Sequence, residues 1–214
     1  MNGMHAHSKR NARLWICVLP LDPKWSKLPF FRFDINCWCQ TAQILEALHA
    51  NNTRTFSTIP TGLLVANDSD HRRTHLLIHQ SARLPSPALM VTNLDASNYP
   101  VIRAPAPDRT RSQQLLFDRI LCDVPCSGDG TIRKNIGIWK SWQVGDGNGL
   151  HRFVVNTVEG LQFLKYRSLQ IRILQRAMKL LEKDGRIVYS TCSLNPVENE
   201  AVIAKALIAN PGKN

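Results

Sequence analysis

Two thiols in this sequence sit where a thiol could do chemistry. Cys126 lies in DVPCSGDGTIRKN (residues 123–135) and Cys192 in YSTCSLNPVENE (residues 189–200), each just past an apolar run. A thiolate is the strongest nucleophile among ordinary side chains, and its pKa falls beside cations or at a helix N-terminus. Cys192 precedes a helix predicted to start near Pro196, whose dipole favours the thiolate. The pair admits three explanations. As a redox couple it lacks the C-x-x-C spacing; as metal ligands the thiols lack partners; the third is one nucleophile with one assistant. A free cysteine is also often just a small core residue, which is the reading for Cys122.

Carboxylates recur in the same positions. Asp123 shares the Cys126 loop, and Asp68 and Asp95 each follow an apolar run. An acid at a strand end commonly accepts hydrogen bonds from a ribose. Helix or turn capping competes with that role for Asp68 and Asp95. Arg133 and Lys134 follow the Cys126 loop, either as phosphate contacts or as a solvated face.

These groups need strands to carry them. Gly62–Ala66, Ala88–Val91, Asp118–Asp123 and Arg186–Ser190 read as buried strands, and Phe30–Ile35 as a further candidate. Helices are predicted over Thr41–Ala50, Ser69–Leu84 and Leu169–Glu182. In the second of these, Leu76, Leu77 and Ile78 face the core and Arg72, Arg73 and Arg83 face outward. Asp184-Gly185 closes the third, with the glycine as its cap. Asn195 caps a last helix with Pro196 in its first turn and Glu198 three residues past the cap. Asn98–Gln114 reads as a long loop. Trp139 and Trp142, three apart, read as helical packing rather than base stacking. Strand–helix alternation predicts an α/β fold with a mostly parallel sheet, and in such sheets the carboxyl ends of the strands share one edge.

Composition narrows the partners. The 214 residues suit one domain, and 27 Lys+Arg against 16 Asp+Glu give a net charge of +11. That excess favours a polyanion, nucleic acid first. Six cysteines are too few for a disulfide scaffold, so a reducing compartment is expected. Cys37 and Cys39 have poor zinc spacing, and no metal is expected. No run approaches the ~20 apolar residues of a membrane span. Lys9, Arg10 and Arg13 before Leu14–Leu21 imitate a weak signal peptide, but the run is short and holds Pro20. A buried strand or an irregular extension is the alternative. Residues 1–29 are therefore expected as a poorly organised lead-in to a domain over 30–214.

DVPCSGDGTIRKN and GRIVYSTCSLNPVENEAVI (residues 185–203) resemble the two signature segments of the Nop/Sun family of RNA cytosine-5 methyltransferases, nearest its tRNA-modifying branch. ANDSDHRR, NLDASNYP and TAQILEALHA resemble that family's intermediate segments, so the likeness runs in order over residues 41–203. It implies a Rossmann-like sheet that binds S-adenosylmethionine, with Asp68 on the ribose, Asp95 near the adenine and Asp123 at the methionine end or the base. It implies that Cys192 attacks carbon 6 of cytosine, that Asp123 stabilises the base, and that Cys126 helps release the product. RNA, expected to be tRNA, is the implied partner, with a monomer in the nucleus or nucleolus.

The sequence departs from the family's pattern in three places. Where the family has a glycine-containing cofactor loop ending in lysine, Asn36-Cys37-Trp38-Cys39-Gln40 has neither residue. Residues 152–167 look inserted, and the family's final strands are not matched. The expectation is a methyltransferase domain altered at the first loop and shortened at its C-terminal end. A catalytically impaired, RNA-binding relative is the alternative.

Overall fold

The apolar runs pair side by side in a computed structural model, which describes residues 14–19, 40–49, 62–105, 112–143 and 169–212. Five strands form one sheet: β1 (Leu14–Leu19), β2 (Leu63–Asp68), β3 (Leu89–Thr92), β6 (Phe117–Asp123) and β7 (Leu181–Ser190). Their order is β3-β2-β1-β6-β7, and every pairing is parallel. The chain therefore winds outward from β1 in one direction and then restarts at β6 in the other. The carboxyl ends of β1 and β6 flank the switch point, where an open α/β sheet leaves a crevice.

β1 corrects the expected boundary at residue 30. Leu14–Leu19 lies within the stretch read as a lead-in, yet it is the central strand, pairing with β2 through Leu14–Leu63 and with β6 through Trp15–Arg119. LWICVL is rich in β-branched and aromatic residues, which suit a strand with neighbours on both edges. The signal-like flanking charges obscured that pattern. The Phe30–Ile35 strand, the stretch at 36–39 and the 152–167 insertion lie outside the described residues.

Helices cover both faces of the sheet, as parallel strands require. α1 (residues 40–49) packs Leu45 and Leu48 against Leu64 and Ala88. On the other face, α4 (Leu169–Leu180) sets Ile173, Ala177 and Leu180 against Val65, Phe117, Ile120 and Cys122. Leu64 and Val65 thus point to opposite cores, the period of two that a strand imposes. α2 (His71–Ser81) lies along β2 and β3, and α5 (Glu200–Ile208) packs Val202 and Ala206 on α4. α3 (Ile136–Ser141) is a short helix beyond the Cys126 loop.

Three local expectations change. Part of Asn98–Gln114 is a hairpin of β4 (Arg103–Pro105) and β5 (Ser112–Gln114). Ile78 is half exposed rather than core. In the first half of β7 the left-handed residue is Asp184 (φ 63°), not Gly185. Gly185 serves close approach instead, because a Cβ there would lie 2.8 Å from Leu181 and 2.9 Å from the Glu182 carbonyl.

Candidate active site

The loops after β6 and β7 are neighbours because their strands are. Asp123 pairs with Ser190 in the ladder, and the Val124 amide donates to the Ser190 carbonyl at 3.1 Å. Beyond that point the two loops close on each other. The Gly130 amide donates to the Cys192 carbonyl at 3.0 Å, and a Cβ on Gly130 would sit 2.7 Å from that oxygen. Only glycine permits this approach. The result is a separation of 3.2 Å between the sulfurs of Cys126 and Cys192.

The two thiols differ in setting. Cys192 is exposed and Cys126 is buried. Hydrogen bonding from Cys126 lowers the Cys192 pKa, against the opposing effects of burial and of the Asp123 and Glu198 charges. The same bond, with burial, raises the Cys126 pKa. The two shifts run in opposite directions, so the exposed sulfur is the one favoured to ionise first, with the inner thiol placed as its hydrogen-bond donor. Cys122, fully buried on β6, is pushed up to about 12 by burial and is core.

A buried carboxylate ties the loops together. Glu198 has no exposed surface. Its Oε2 accepts from Ser127 Oγ and Ser193 Oγ, each at 2.6 Å, and its Oε1 accepts from the Ser127 amide at 2.9 Å and Gln170 Nε2 at 3.2 Å. Gln170 also donates to the Pro125 carbonyl. Glu198 was expected in a capping box; its side chain instead reaches across to the Cys126 loop. The Asn195 amide goes to Ser193 Oγ, and Asn195 Oδ1 accepts from the Val197 amide. The helix itself begins only at Glu200.

Asp123 is the third converging group. Burial raises its pKa, opposed by a 2.8 Å hydrogen bond from Ser190 Oγ and by the charge of Arg73. Arg73 also pairs with Asp68 at 2.9 Å. It therefore faces inward, contrary to the sequence reading, and links the ends of β2 and β6 electrostatically. Asp68 is buried and has a raised pKa from that burial, with Arg73 opposing. The capping role falls to Asp70, which accepts from the Arg73 amide. Asp95 does cap a turn, accepting from the Ser97 amide, Ser97 Oγ and Asn98 Nδ2. Arg133 and Lys134 are exposed beside the loop.

The strand-end groups suit a polar ligand. Gln40 Oε1 and Thr41 Oγ1, in the first turn of α1, and Ser69 Oγ, just past β2, are buried without a hydrogen-bond partner among the described residues. Such atoms are costly unless a ligand or water satisfies them. Ser69 adjoins Asp68 in the chain, and groups of these types can accept from and donate to a nucleoside. Among the described residues no cluster resembles a metal site, and no helix is long and apolar enough to cross a membrane.

Sequence alone left Glu198, Gln170, Ser190 and Arg73 unassigned to the site. One signal was available for the first: each thiol is followed by a serine, and both serines need a buried acceptor.

Comparisons with known proteins give the family of the chain. The family model for 16S rRNA methyltransferase RsmB/F matches residues 49–152 and 154–213. The chain is 49% identical over 168 residues to the multisite-specific tRNA:(cytosine-C(5))-methyltransferase of Saccharomyces cerevisiae, covering 78% of this chain and 22% of that one. It is 46% identical over 168 residues to the tRNA (cytosine(34)-C(5))-methyltransferase of Drosophila melanogaster, covering 78% and 20%. The chain thus spans about a fifth of the length of these relatives. The crystal structure of NSun6 from Pyrococcus horikoshii with SFG is similar at a TM-score of 0.52 and 19% identity, over 91% of this chain and 36% of that one. That likeness is one of fold.

Proposed function

Since the chain belongs to the RsmB/F family of RNA methyltransferases, we propose that it carries the catalytic loops of an S-adenosylmethionine-dependent RNA cytosine-5 methyltransferase acting on tRNA. The observation that carries this reading is the thiol pair: an exposed sulfur of lowered pKa, 3.2 Å from a buried one of raised pKa, near a carboxyl of raised pKa. The tRNA substrate is supported by what the yeast and fly relatives are named for.

Carbon 5 of cytosine is a poor nucleophile until addition at carbon 6 interrupts the aromatic ring. The Cys192 thiolate forms the bond to carbon 6, and the electron pair of the 5,6 double bond moves into the ring. Burial raises the pKa of Asp123 and so favours its protonated form, the form that would donate a hydrogen bond where the ring gains charge. After substitution at carbon 5, its proton passes to water, the electron pair re-forms the 5,6 double bond, and the carbon–sulfur bond breaks with its electrons returning to sulfur. The leaving sulfur is then the thiolate that Cys126 already hydrogen-bonds, so Cys126 lowers the barrier to release.

S-adenosylmethionine supplies the electrophilic methyl group when bound. Asp68, Ser69 and the first turn of α1 at Gln40 and Thr41 would hold its nucleoside end, and Asp123 would lie toward its reactive end. Asp95 contributes by shaping the turn after β3, since its oxygens are committed there.

One observation favours a second reading, a methyltransferase-like RNA-binding protein without activity: residues 36–40 hold no glycine where close backbone approach to the cofactor is needed. Isothermal titration with S-adenosylmethionine separates the two. Saturable binding that weakens in Asp68→Ala supports the enzyme, and no heat at millimolar cofactor favours the binding protein.

A further inference from the structure

The face beyond the Cys126 loop is built of groups that globular proteins normally hide. Trp139 on α3 is 74% exposed and Ile136, one turn before it, 68% exposed. Leu194, two residues past Cys192, is 78% exposed. The helical-packing role expected for Trp139 is therefore not what it does: Ile138 is the buried residue of this helix. Exposed Arg133, Lys134 and Lys140 flank the same strip.

This face is continuous with the thiol site. Trp139, Trp142, Ile132, Ile138 and Asp129 line a cleft of about 310 Å³. Asp129 is the shared wall: its Oδ1 accepts from the Leu194 amide at 2.9 Å, on the Cys192 loop. Within the cleft, Trp142 Nε1 is buried without a partner among the described residues.

Resting on the methyltransferase reading above, we infer that Trp139 is a stacking platform for the nucleobase adjacent to the target cytosine. A cytosine reaches a thiolate only by leaving its stack, which strips its neighbour of a stacking partner as well. An exposed indole on the cleft whose Asp129 wall is bonded to the Cys192 loop replaces that partner, and every base offers a face to it. The three cations supply the phosphate contacts that such a platform needs, in a chain of net charge +11. RNA, rather than an apolar protein partner, fits this combination of one aromatic with flanking positive charge.

The test uses the full chain and a fluorescein-labelled, single-stranded 12-nucleotide RNA with one cytosine, read by anisotropy. Trp139→Leu is expected to weaken binding about 10-fold, and Trp139→Phe to stay within about 3-fold of the parent. On RNA abasic next to the cytosine, parent and Trp139→Leu should bind alike. Equal binding of parent and Trp139→Leu to intact RNA overturns the platform, as does an undiminished difference on abasic RNA. So does absence of RNA binding by the parent. Adduct formation by Cys192 on 5-azacytidine RNA is read separately. An adduct with Trp139-independent binding sinks the platform alone. Trp139-dependent binding without an adduct supports the platform and sinks the catalytic reading.

Discussion

Ser127 and Ser193 place their hydroxyls on one oxygen, each 2.6 Å from Oε2 of Glu198. Each follows one of the thiols, so the buried carboxylate fixes the distance between loops 66 positions apart. Glu198→Ala strands the Ser127 amide in the interior and removes one of the two acceptors of Gln170 Nε2. It should cost about 2–4 kcal/mol in urea unfolding, and Ser193→Ala about 1 kcal/mol. Equal, small losses for both would show that Glu198 is not the clamp.

Removing the inner thiol should change the outer one. Because Cys126 hydrogen-bonding lowers the Cys192 pKa, iodoacetamide should alkylate Cys192 with a midpoint below that of a free thiol. Cys126→Ala should move that midpoint upward. An unmoved midpoint would assign the activation to something other than Cys126.

Asp123 gives a pH dependence with a definite sign. Its folded pKa is raised by burial from an ordinary 3.8. The unfolded chain therefore loses this proton first, and stability from this group, present in full below 3.8, falls as pH rises through the folded pKa. Asp123→Asn lacks that loss, so its stability relative to the parent should rise with pH across the same window. Urea titrations at pH 3 to 7 read the difference, and a flat or falling one contradicts the assignment.

Gly130 sets the approach of the loops. Gly130→Ala puts a Cβ 2.7 Å from the Cys192 carbonyl, which must yield. About 1–3 kcal/mol of stability should be lost, and alkylation of Cys192 should lose its dependence on Cys126. Retention of both properties would mean that the loops do not meet as described.

Much of this site was legible in the sequence. Strand ends at Asp68 and Asp123, and the loops bearing Cys126 and Cys192, follow from short apolar runs broken by proline, glycine and asparagine, because those signals are local. The central strand was obscured: Leu14–Leu19 is flanked by charge and proline, and only its two partners reveal it as sheet. Glu198 was misread for a related reason. Its spacing from Asn195 satisfies a local capping rule, while the Ser127 amide and hydroxyl that donate to it lie on another loop, 71 positions away. Arg73 likewise sits on a face that helical periodicity marks as outward, and a buried carboxylate draws it in. Long-range polar pairing has no periodicity for a sequence to display.

The most direct test of the account is covalent trapping on RNA containing 5-azacytidine, resolved by denaturing gel and mass spectrometry. An RNA-linked peptide bearing Cys192, lost in Cys192→Ala and retained in Cys126→Ala, is the predicted result. An adduct on Cys126, or one that persists in Cys192→Ala, would contradict it.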